Sequence, residues 1–296
     1  MANVLIVGGG KIGSALAKVI GSAVTALFVW DIDPKKTRGE RDLSLIVANA
    51  DVIFICVPSW SHASAIKEIS PFLQKRTQVV SLAKGMVCVG NKWMLVSEFL
   101  KNNLPPNQNF SIMSGPMVAE DLTLGKPCVG VLVSKNQFGI AKLSPLFSKT
   151  NLRLEYSDDM KGVCLAGVLK NIYALAVGAV EGAGFAEDRV KVFRSMCLDE
   201  MLRAGVALGA KAETMKGTAG REDFLVTATS KFSHNRSAGM EIGRDGNTTI
   251  QSEGLVSLKP TLKILGSAEG LPIITALDDI VSKQTTAREA FKNILK

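Results

Sequence analysis

Short apolar runs alternate with amphipathic segments through the first half of the chain. Segments such as "GGGKIGSALAKVI" and "PSWSHASAIKEI" follow these runs and have the spacing of surface helices. Strands that take turns with helices are typical of a parallel sheet covered by helices on both faces. We therefore predict a doubly wound parallel sheet, with strands over residues 4–7, 24–30, 51–57, 78–83, 110–114 and 129–133.

The pattern changes after about Tyr156, where strand-like runs nearly vanish. The segment "EDRVKVFRSMCLDEMLRAGVALGA" instead repeats its apolar residues at helical spacing, with Val190, Phe193, Cys197 and Met201 on one face. The sequence thus predicts an α/β domain over residues 1–157 and an all-α domain over residues 158–296.

One apolar stretch, "VCLAGVLKNIYALAVGAV" at residues 163–180, carries Lys170 and Asn171 at its middle. It is about long enough to span a membrane, but a lysine at the centre of such a helix costs roughly 2.5–3.5 kcal/mol on insertion. A buried helix whose lysine stem lies on apolar neighbours is the alternative. We predict a buried helix and no membrane span.

Charge and composition argue against several classes of protein. The net charge of +8 suits a partner that carries phosphate, but the basic residues are scattered. Aromatic residues make up 6% of the chain and are not interleaved with basic ones, so nucleic-acid binding is disfavoured. A chain of 296 residues that is 47% hydrophobic can bury two ordinary cores.

Cysteine and histidine are too few and too dispersed to predict a metal centre. The five cysteines form no CxxC pair, and the chain has two histidines, His62 and His234. Neither a disulfide framework nor a zinc site is indicated. The first residues, "MANVLIVGGG", lack the basic start and cleavage site of a signal peptide, so we expect a cytoplasmic protein.

The clearest local motif follows the first apolar run, where Gly8, Gly10 and Gly13 form G-x-G-x-x-G. In a strand–turn–helix setting, the first glycine permits the tight turn, the second lets the backbone approach a pyrophosphate, and the third allows close packing of the helix. The second run ends at Asp31, where a carboxylate can accept hydrogen bonds from the ribose hydroxyls of NAD. This order predicts a Rossmann-type nucleotide site.

NADP remains an alternative cofactor, because three basic residues follow Asp31 closely. Lys35, Lys36 and Arg38 could contact a 2′-phosphate. We favour NAD, because an acid at the end of the second strand repels that phosphate.

Taken together, the motifs resemble those of the NAD(P)-dependent glycerol-3-phosphate dehydrogenases. The resemblance runs in family order over nearly the full chain, through "VGGGKIGSALA", "VPS", "SLAKG", "SGPMVAED", "YSDDMKGVCLAGVLKNIYALAVG", "REDFLVTATSKFSHNR" and "SEG". It implies an N-terminal Rossmann domain, a C-terminal helical domain that carries substrate binding and dimerisation, and usually a homodimer. It also implies hydride transfer between a nicotinamide and C2 of dihydroxyacetone phosphate or sn-glycerol 3-phosphate.

The resemblance also implies roles for individual residues. Lys170 corresponds to the lysine that exchanges a proton with the substrate oxygen, Lys84 to a second lysine near the same oxygen, and Asp223 to the aspartate that orients Lys170. The implied substrate-binding residues are Lys84, Gly115, Asn171, Thr227, Ser233, His234, Asn235 and Arg236. The implied cofactor-binding residues are Gly8, Gly10, Lys11, Ile12, Gly13, Asp31, Pro58, Lys84, Ala119, His234 and Glu253.

Some positions depart from the family pattern. His234 stands where the family has an arginine, so a permanent bidentate cation is replaced by a group that is partly charged at neutral pH. Met117 follows "SGP" where a polar residue is common. Because these changes concern substrate binding, two alternatives stay open: a reductase of another small hydroxy acid or phosphorylated ketone, and a nucleotide-binding regulator without turnover.

Overall fold

The computed structural model describes residues 2–296 of the chain. They form two compact units that divide between Cys164 and Leu165. The division falls inside a long helix, Met160–Gly182. The domain boundary placed by sequence before residue 158 stays a prediction.

The first unit is built on a seven-stranded sheet. The strands lie in the order β2-β1-β3-β4-β7-β8-β9. The first five of these are parallel to one another, which confirms the predicted α/β fold. The strands are β1 (Asn3–Val7), β2 (Ala26–Trp30), β3 (Val52–Ile55), β4 (Gln78–Ser81), β7 (Asn109–Ser114), β8 (Cys128–Ser134) and β9 (Leu152–Ser157).

Two features of this unit differ from the sequence prediction. Strand β8 runs antiparallel to β7, and β9 then runs parallel to β8, so the sheet is mixed at this edge. A separate hairpin, β5 (Met86–Val89) with β6 (Lys92–Leu95), follows β4. Neither the hairpin nor β9 was predicted; in β9 the charged Arg153 and Glu155 interrupt the apolar residues.

Helices pack on the sheet through apolar faces. On helix α1 (Lys11–Ile20), Leu16 and Ile20 are fully buried among strand residues such as Ile6 and Phe54. Phe54 also meets Phe147 of α6 edge to face, with ring centroids 6.2 Å apart. The helices of this unit are α1 (Lys11–Ile20), α2 (Leu43–Asn49), α3 (His62–Ile69), α4 (Val96–Asn103), α5 (Ala119–Thr123) and α6 (Gln137–Phe147).

The second unit is helical, as predicted. The four apolar residues predicted to share a face of α8 are all buried. It begins within α7 (Met160–Gly182). The helices that follow are α8 (Glu187–Ala207), α9 (Ala212–Lys216), α10 (Asp223–Thr229), α11 (His234–Asp245), α12 (Glu253–Leu265), α13 (Pro272–Val281) and α14 (Ala287–Ile294).

Helix α7 is long and apolar enough to cross a membrane by length and composition, with a mean hydropathy of 1.8 over its best window. All of that window is buried inside the protein. Burial of this kind is the ordinary setting of a core helix, which is the alternative that the sequence favoured.

Glycines let α7 and α11 pack backbone against backbone. A Cβ on Gly178 would lie 2.1 Å from the Arg236 carbonyl oxygen, and one on Gly182 would lie 2.0 Å from that of Met240. The contact is reciprocal, since a Cβ on Gly239 would lie 2.0 Å from the Leu175 carbonyl oxygen. Small residues four apart on both helices permit this approach, and it fixes which residues of α11 face which residues of α7.

Candidate functional site

The glycine turn between β1 and α1 has the geometry that its sequence predicts. Gly8 has a φ of +104°, a conformation that side chains rarely adopt. A Cβ on Gly13 would lie 1.9 Å from the Gly8 carbonyl oxygen, so α1 packs against the turn too closely for any side chain there. A Cβ on Gly10, by contrast, would meet nothing within 4 Å. The α1 N-terminus thus borders open space at Gly10, where its N–H groups can receive an anion.

Asp31 lies at the end of β2 and is tied to this turn. Its Oδ2 accepts a hydrogen bond from the Gly9 N–H at 2.6 Å, and its Oδ1 accepts one from the Asp33 N–H at 2.9 Å. The following segment folds back, because Arg38 exchanges two backbone hydrogen bonds with Val29. Asp31 therefore positions the glycine turn, and the remaining lone pairs of its carboxylate can still accept bonds from a ribose.

Lys84 follows β4 and is half-buried. Its Nζ donates a hydrogen bond to the carbonyl oxygen of Gly115 at 2.5 Å. Gly115 follows β7 with a φ of +95°, and a Cβ there would lie 3.2 Å from the Val131 nitrogen. The structure thus brings together two residues of the predicted site at the carboxyl ends of neighbouring strands, where ligands of open α/β sheets bind.

Lys170 lies at the centre of a polar cluster in the second unit, with Asp223 and Thr227. It is 6% exposed, and its Nζ donates to Asp223 Oδ1 at 2.8 Å and to Thr227 Oγ1 at 2.7 Å. Asp223 is 2% exposed. Asp223 and Thr227 are four residues apart on α10, so they share one face of that helix. The carboxylate offsets the cost of burying the lysine charge, and Nζ is held in one direction.

Asn171, the next residue of α7, belongs to a second polar cluster. The Asn235 side-chain amide donates to Asn171 Oδ1 at 2.8 Å, and its oxygen accepts the Gly254 N–H at 2.8 Å. Both asparagines are buried. A Cβ on Gly254 would lie 2.3 Å from the Asn171 carbonyl oxygen, so the start of α12 packs directly on α7. The Asn171–Asn235 pair is therefore fixed by three helices.

The residues beside Asn235 lie in different settings. Ser233 is the N-cap of α11, since its Oγ accepts the Arg236 N–H at 3.2 Å, and His234 begins the helix with an exposed side chain. The structure does not bring the Arg236 side chain to the asparagines, because its Nε lies 2.7 Å from Glu181 Oε2. Glu253 begins α12, directly before Gly254.

The remaining predicted cofactor residues border the sheet of the first unit. Lys11 begins α1, and its Nζ lies 2.9 Å from Glu120 Oε1 of α5. Ile12 follows on the same turn, Pro58 lies after β3, and Ala119 begins α5. Residues 2–296 contain no group of three or more His, Cys, Asp or Glu residues that could hold a metal ion. All five cysteines are free thiols, and four of them are buried.

Comparison with known proteins identifies the family. Residues 34–139 match the model of the NAD-dependent glycerol-3-phosphate dehydrogenase N-terminus, and residues 159–292 match the model of its C-terminus. The two matches together span well over half of the chain. The chain belongs to the NAD-dependent glycerol-3-phosphate dehydrogenase family.

Individual relatives agree with this assignment. A "Glycerol-3-phosphate dehydrogenase [NAD(P)+] 2" of Sphingopyxis alaskensis is 29% identical, over 98% of this chain and 95% of the relative. A "Glycerol-3-phosphate dehydrogenase [NAD(P)+]" of Agrobacterium fabrum is 36% identical, over 71% of this chain and 63% of the relative. The crystal structure of a glycerol-3-phosphate dehydrogenase from Coxiella burnetii has the same fold, with a TM-score of 0.85 at 24% identity, covering 99% of this chain and 98% of that one.

Membership of the glycerol-3-phosphate dehydrogenase family confirms the resemblance seen in the sequence. It makes the chain an NAD(P)-dependent oxidoreductase by family, with the α/β and helical parts that the pattern predicted. The roles of single residues remain predictions, supported by the contacts of Lys84, Lys170 and Asn171.

His62 had no predicted role, and the structure places it close to the segment that carries Lys84. His62 is fully buried; its Nε2 lies 2.8 Å from Ser81 Oγ and its Nδ1 lies 3.3 Å from the Pro58 carbonyl oxygen. Ser81 Oγ also accepts the Ala83 N–H at 3.2 Å, next to Lys84. Burial lowers the pKa of His62 to about 4, against a smaller effect of the Pro58 carbonyl, so the ring is neutral at pH 7. Its place in "PSWSHAS" gave no signal, since an isolated histidine at a helix start is usually exposed.

Proposed function

We propose that the protein interconverts dihydroxyacetone phosphate and sn-glycerol 3-phosphate with a nicotinamide cofactor. When bound, the cofactor supplies or accepts the hydride at C2 of the substrate. In the direction of reduction, Lys170 gives a proton from Nζ to the C2 oxygen, so the carbonyl becomes a hydroxyl. In the direction of oxidation, neutral Lys170 takes the same proton back.

The single observation that carries this proposal is the environment of Lys170. Its Nζ has hydrogen bonds to Asp223 and Thr227 that fix its direction, and its side chain is almost fully buried. A buried lysine has its charged form disfavoured by desolvation, while the Asp223 carboxylate favours it. A proton donor that is held in place and shielded from water is what general acid catalysis requires.

The first unit fits a dinucleotide. The open space beside Gly10 and the N–H groups at the start of α1 suit a pyrophosphate. Asp31 at the end of β2 suits the ribose diol of NAD and disfavours a 2′-phosphate, so NAD is the preferred cofactor and NADP the weaker one.

Residues around Asn235 are proposed to hold the substrate. Asn171 and Asn235 offer amide groups, and Ser233 and His234 lie at the start of α11, where the helix dipole favours a phosphate. Lys84 is proposed, on the resemblance alone, to act on the substrate oxygen as a second lysine. We also propose, on the resemblance alone, that the enzyme is a cytoplasmic homodimer; sedimentation of the purified protein tests its oligomeric state.

A cofactor oxidation assay tests the proposed reaction. NADH and NADPH are each offered with dihydroxyacetone phosphate, dihydroxyacetone and a 2-keto acid, and loss of the reduced nicotinamide absorbance is followed. We expect turnover with the phosphorylated ketone and little without the phosphate. Turnover of the 2-keto acid alone would show that the substrate is a keto acid and not dihydroxyacetone phosphate. Cofactor binding without any turnover would favour a nucleotide-binding regulator.

A further inference from the structure

A pocket of about 410 Å³ lies in the second unit, apart from the contacts of Lys170 and Asn171. Its walls come from the end of α7, the start of α8 and one side of α11. The apolar wall includes Phe185, Val190 and Met240. The charged part is formed by Glu181, Arg194 and Arg236. We call the whole cavity the arginine pocket.

The arginine pocket holds two arginines for one carboxylate. Arg236 Nε lies 2.7 Å from Glu181 Oε2, and Arg194 Nη2 lies 3.9 Å from Glu181 Oε1. The other charges of the lining, Lys191 and Glu187, pair with each other at 3.0 Å on the exposed side. One positive charge is therefore left without a counter-charge inside the pocket.

The hydrogen bonds of this cluster are also incomplete. Within residues 2–296, the Nε atoms of Arg194 and Arg236 are buried and have no hydrogen-bond acceptor, and Glu181 Oε2 has no donor. Arg236 and Glu181 thus form an ion pair at 2.7 Å but no hydrogen bond, because the carboxylate oxygen is not in line with the Nε–H bond. Buried polar groups of folded proteins are nearly always satisfied, and a missing ion is one reason for exceptions.

We propose that the arginine pocket binds a small oxyanion, with phosphate as its simplest form. The planar guanidinium group presents parallel N–H donors that match the oxygens of phosphate. An anion between Arg194 and Arg236 would supply the missing counter-charge and accept the two unsatisfied Nε–H groups. The apolar wall gives room for a small organic group attached to the anion.

The position of the pocket links it to the candidate site through one helix. Arg236 follows Asn235 directly on α11, and the backbone contact of Gly178 with Arg236 fixes this turn against α7. The pocket and the Asn171–Asn235 pair therefore lie at neighbouring positions of α11, but their side chains contact different partners. Arg236 pairs with Glu181, whereas Asn235 bonds to Asn171 and to the Gly254 N–H.

Calorimetric titration with inorganic phosphate, at constant ionic strength, tests the proposal. We compare the wild-type protein with Arg194→Gln, Glu181→Gln and the control Arg244→Gln, which removes the same charge from an exposed position of α11. We expect Arg194→Gln to weaken one binding step at least tenfold, Glu181→Gln to strengthen it, and Arg244→Gln to change it less than twofold. Phosphate bound elsewhere, including at the substrate site, would persist in all four proteins.

Three results would overturn the proposal. Equal phosphate binding by the wild type and Arg194→Gln would show that no anion uses these arginines. A lower melting temperature of Arg194→Gln, with phosphate binding unchanged, would show that the cluster only joins the helices. Loss of phosphate binding in Arg244→Gln as well as in Arg194→Gln would point to net charge rather than to a site.

Discussion

Lys170 Nζ lies 2.8 Å from Asp223 Oδ1, and both side chains are almost completely buried. Removal of one partner of such a pair leaves an uncompensated buried charge, which typically costs about 3–5 kcal/mol. Asp223 therefore stabilises the fold and orients the proposed proton donor, and these two effects need separate measurements.

Lys170→Ala should lose about 10²- to 10⁴-fold in turnover, which is the usual contribution of general acid catalysis. NADH binding should stay near the wild-type value, because Lys170 is proposed to act on the substrate oxygen. Steady-state kinetics and fluorescence titration with NADH check the two parts. Lys161→Ala, an exposed lysine of the same helix, is the control and should keep its rate. A Lys170→Ala protein that is folded and fully active would remove the proposed role.

Stability should fall as the pH drops from about 6.5 toward 4, because of His62. Its pKa in the folded protein is lowered to about 4 by burial, so the unfolded chain binds the extra proton first. The contribution of His62 is fully present above its unfolded pKa and is lost as the pH falls, by up to about 3 kcal/mol.

Urea unfolding at pH 7 and pH 5 measures this effect. The difference between the wild type and His62→Gln isolates the histidine from carboxylates that also titrate in acid. Equal pH dependence in the two proteins would contradict the prediction.

NADH should bind more tightly than NADPH, and Asp31→Asn should reduce the preference. The substitution removes the charge that opposes a 2′-phosphate and keeps one side-chain oxygen for the Gly9 N–H. Fluorescence titration with both cofactors measures the ratio. Asp33→Asn, in the same turn, is the matched control. Tighter NADPH binding by the wild type would mean that Lys35, Lys36 or Arg38 governs the pocket.

His234→Arg should lower KM for dihydroxyacetone phosphate by several-fold to about tenfold. A permanent guanidinium at the first position of α11 would restore a charge-assisted hydrogen bond to phosphate, worth about 1.5–3 kcal/mol. Asn247→Arg adds the same charge at an exposed position after α11 and should leave KM unchanged. An unaltered KM in His234→Arg would place His234 outside the phosphate site.

Gly239→Ala should destabilise the second unit by about 1–3 kcal/mol or more, because its Cβ would lie 2.0 Å from a backbone oxygen of α7 that cannot move aside alone. Gly21→Ala is the control, since its Cβ would find its nearest neighbour at 3.9 Å. Thermal unfolding of both proteins decides the matter; similar melting temperatures would mean that the helices shift apart at little cost.

The α/β part of the fold was predictable because buried parallel strands are continuous apolar runs and the glycine turn has a steric requirement at Gly8 and Gly13. The antiparallel placement of β8 was not, because an apolar run carries no information about its direction. The pairing of Lys170 with Asp223 came from family resemblance, since 53 residues separate them. The ion pair of Arg236 with Glu181 was not predicted, because it depends on which side of α11 packs against α7.

The glycine contacts of α7 and α11 have a consequence for how the enzyme could change its substrate. Where two helices touch through their backbones, the offset between Asn171 and Asn235 is set by main-chain geometry and cannot be adjusted by altering side-chain volume. Selection for a new substrate, in nature or in the laboratory, is therefore confined to side chains that project beyond this contact. The exposed first position of α11, which His234 occupies, is one such place.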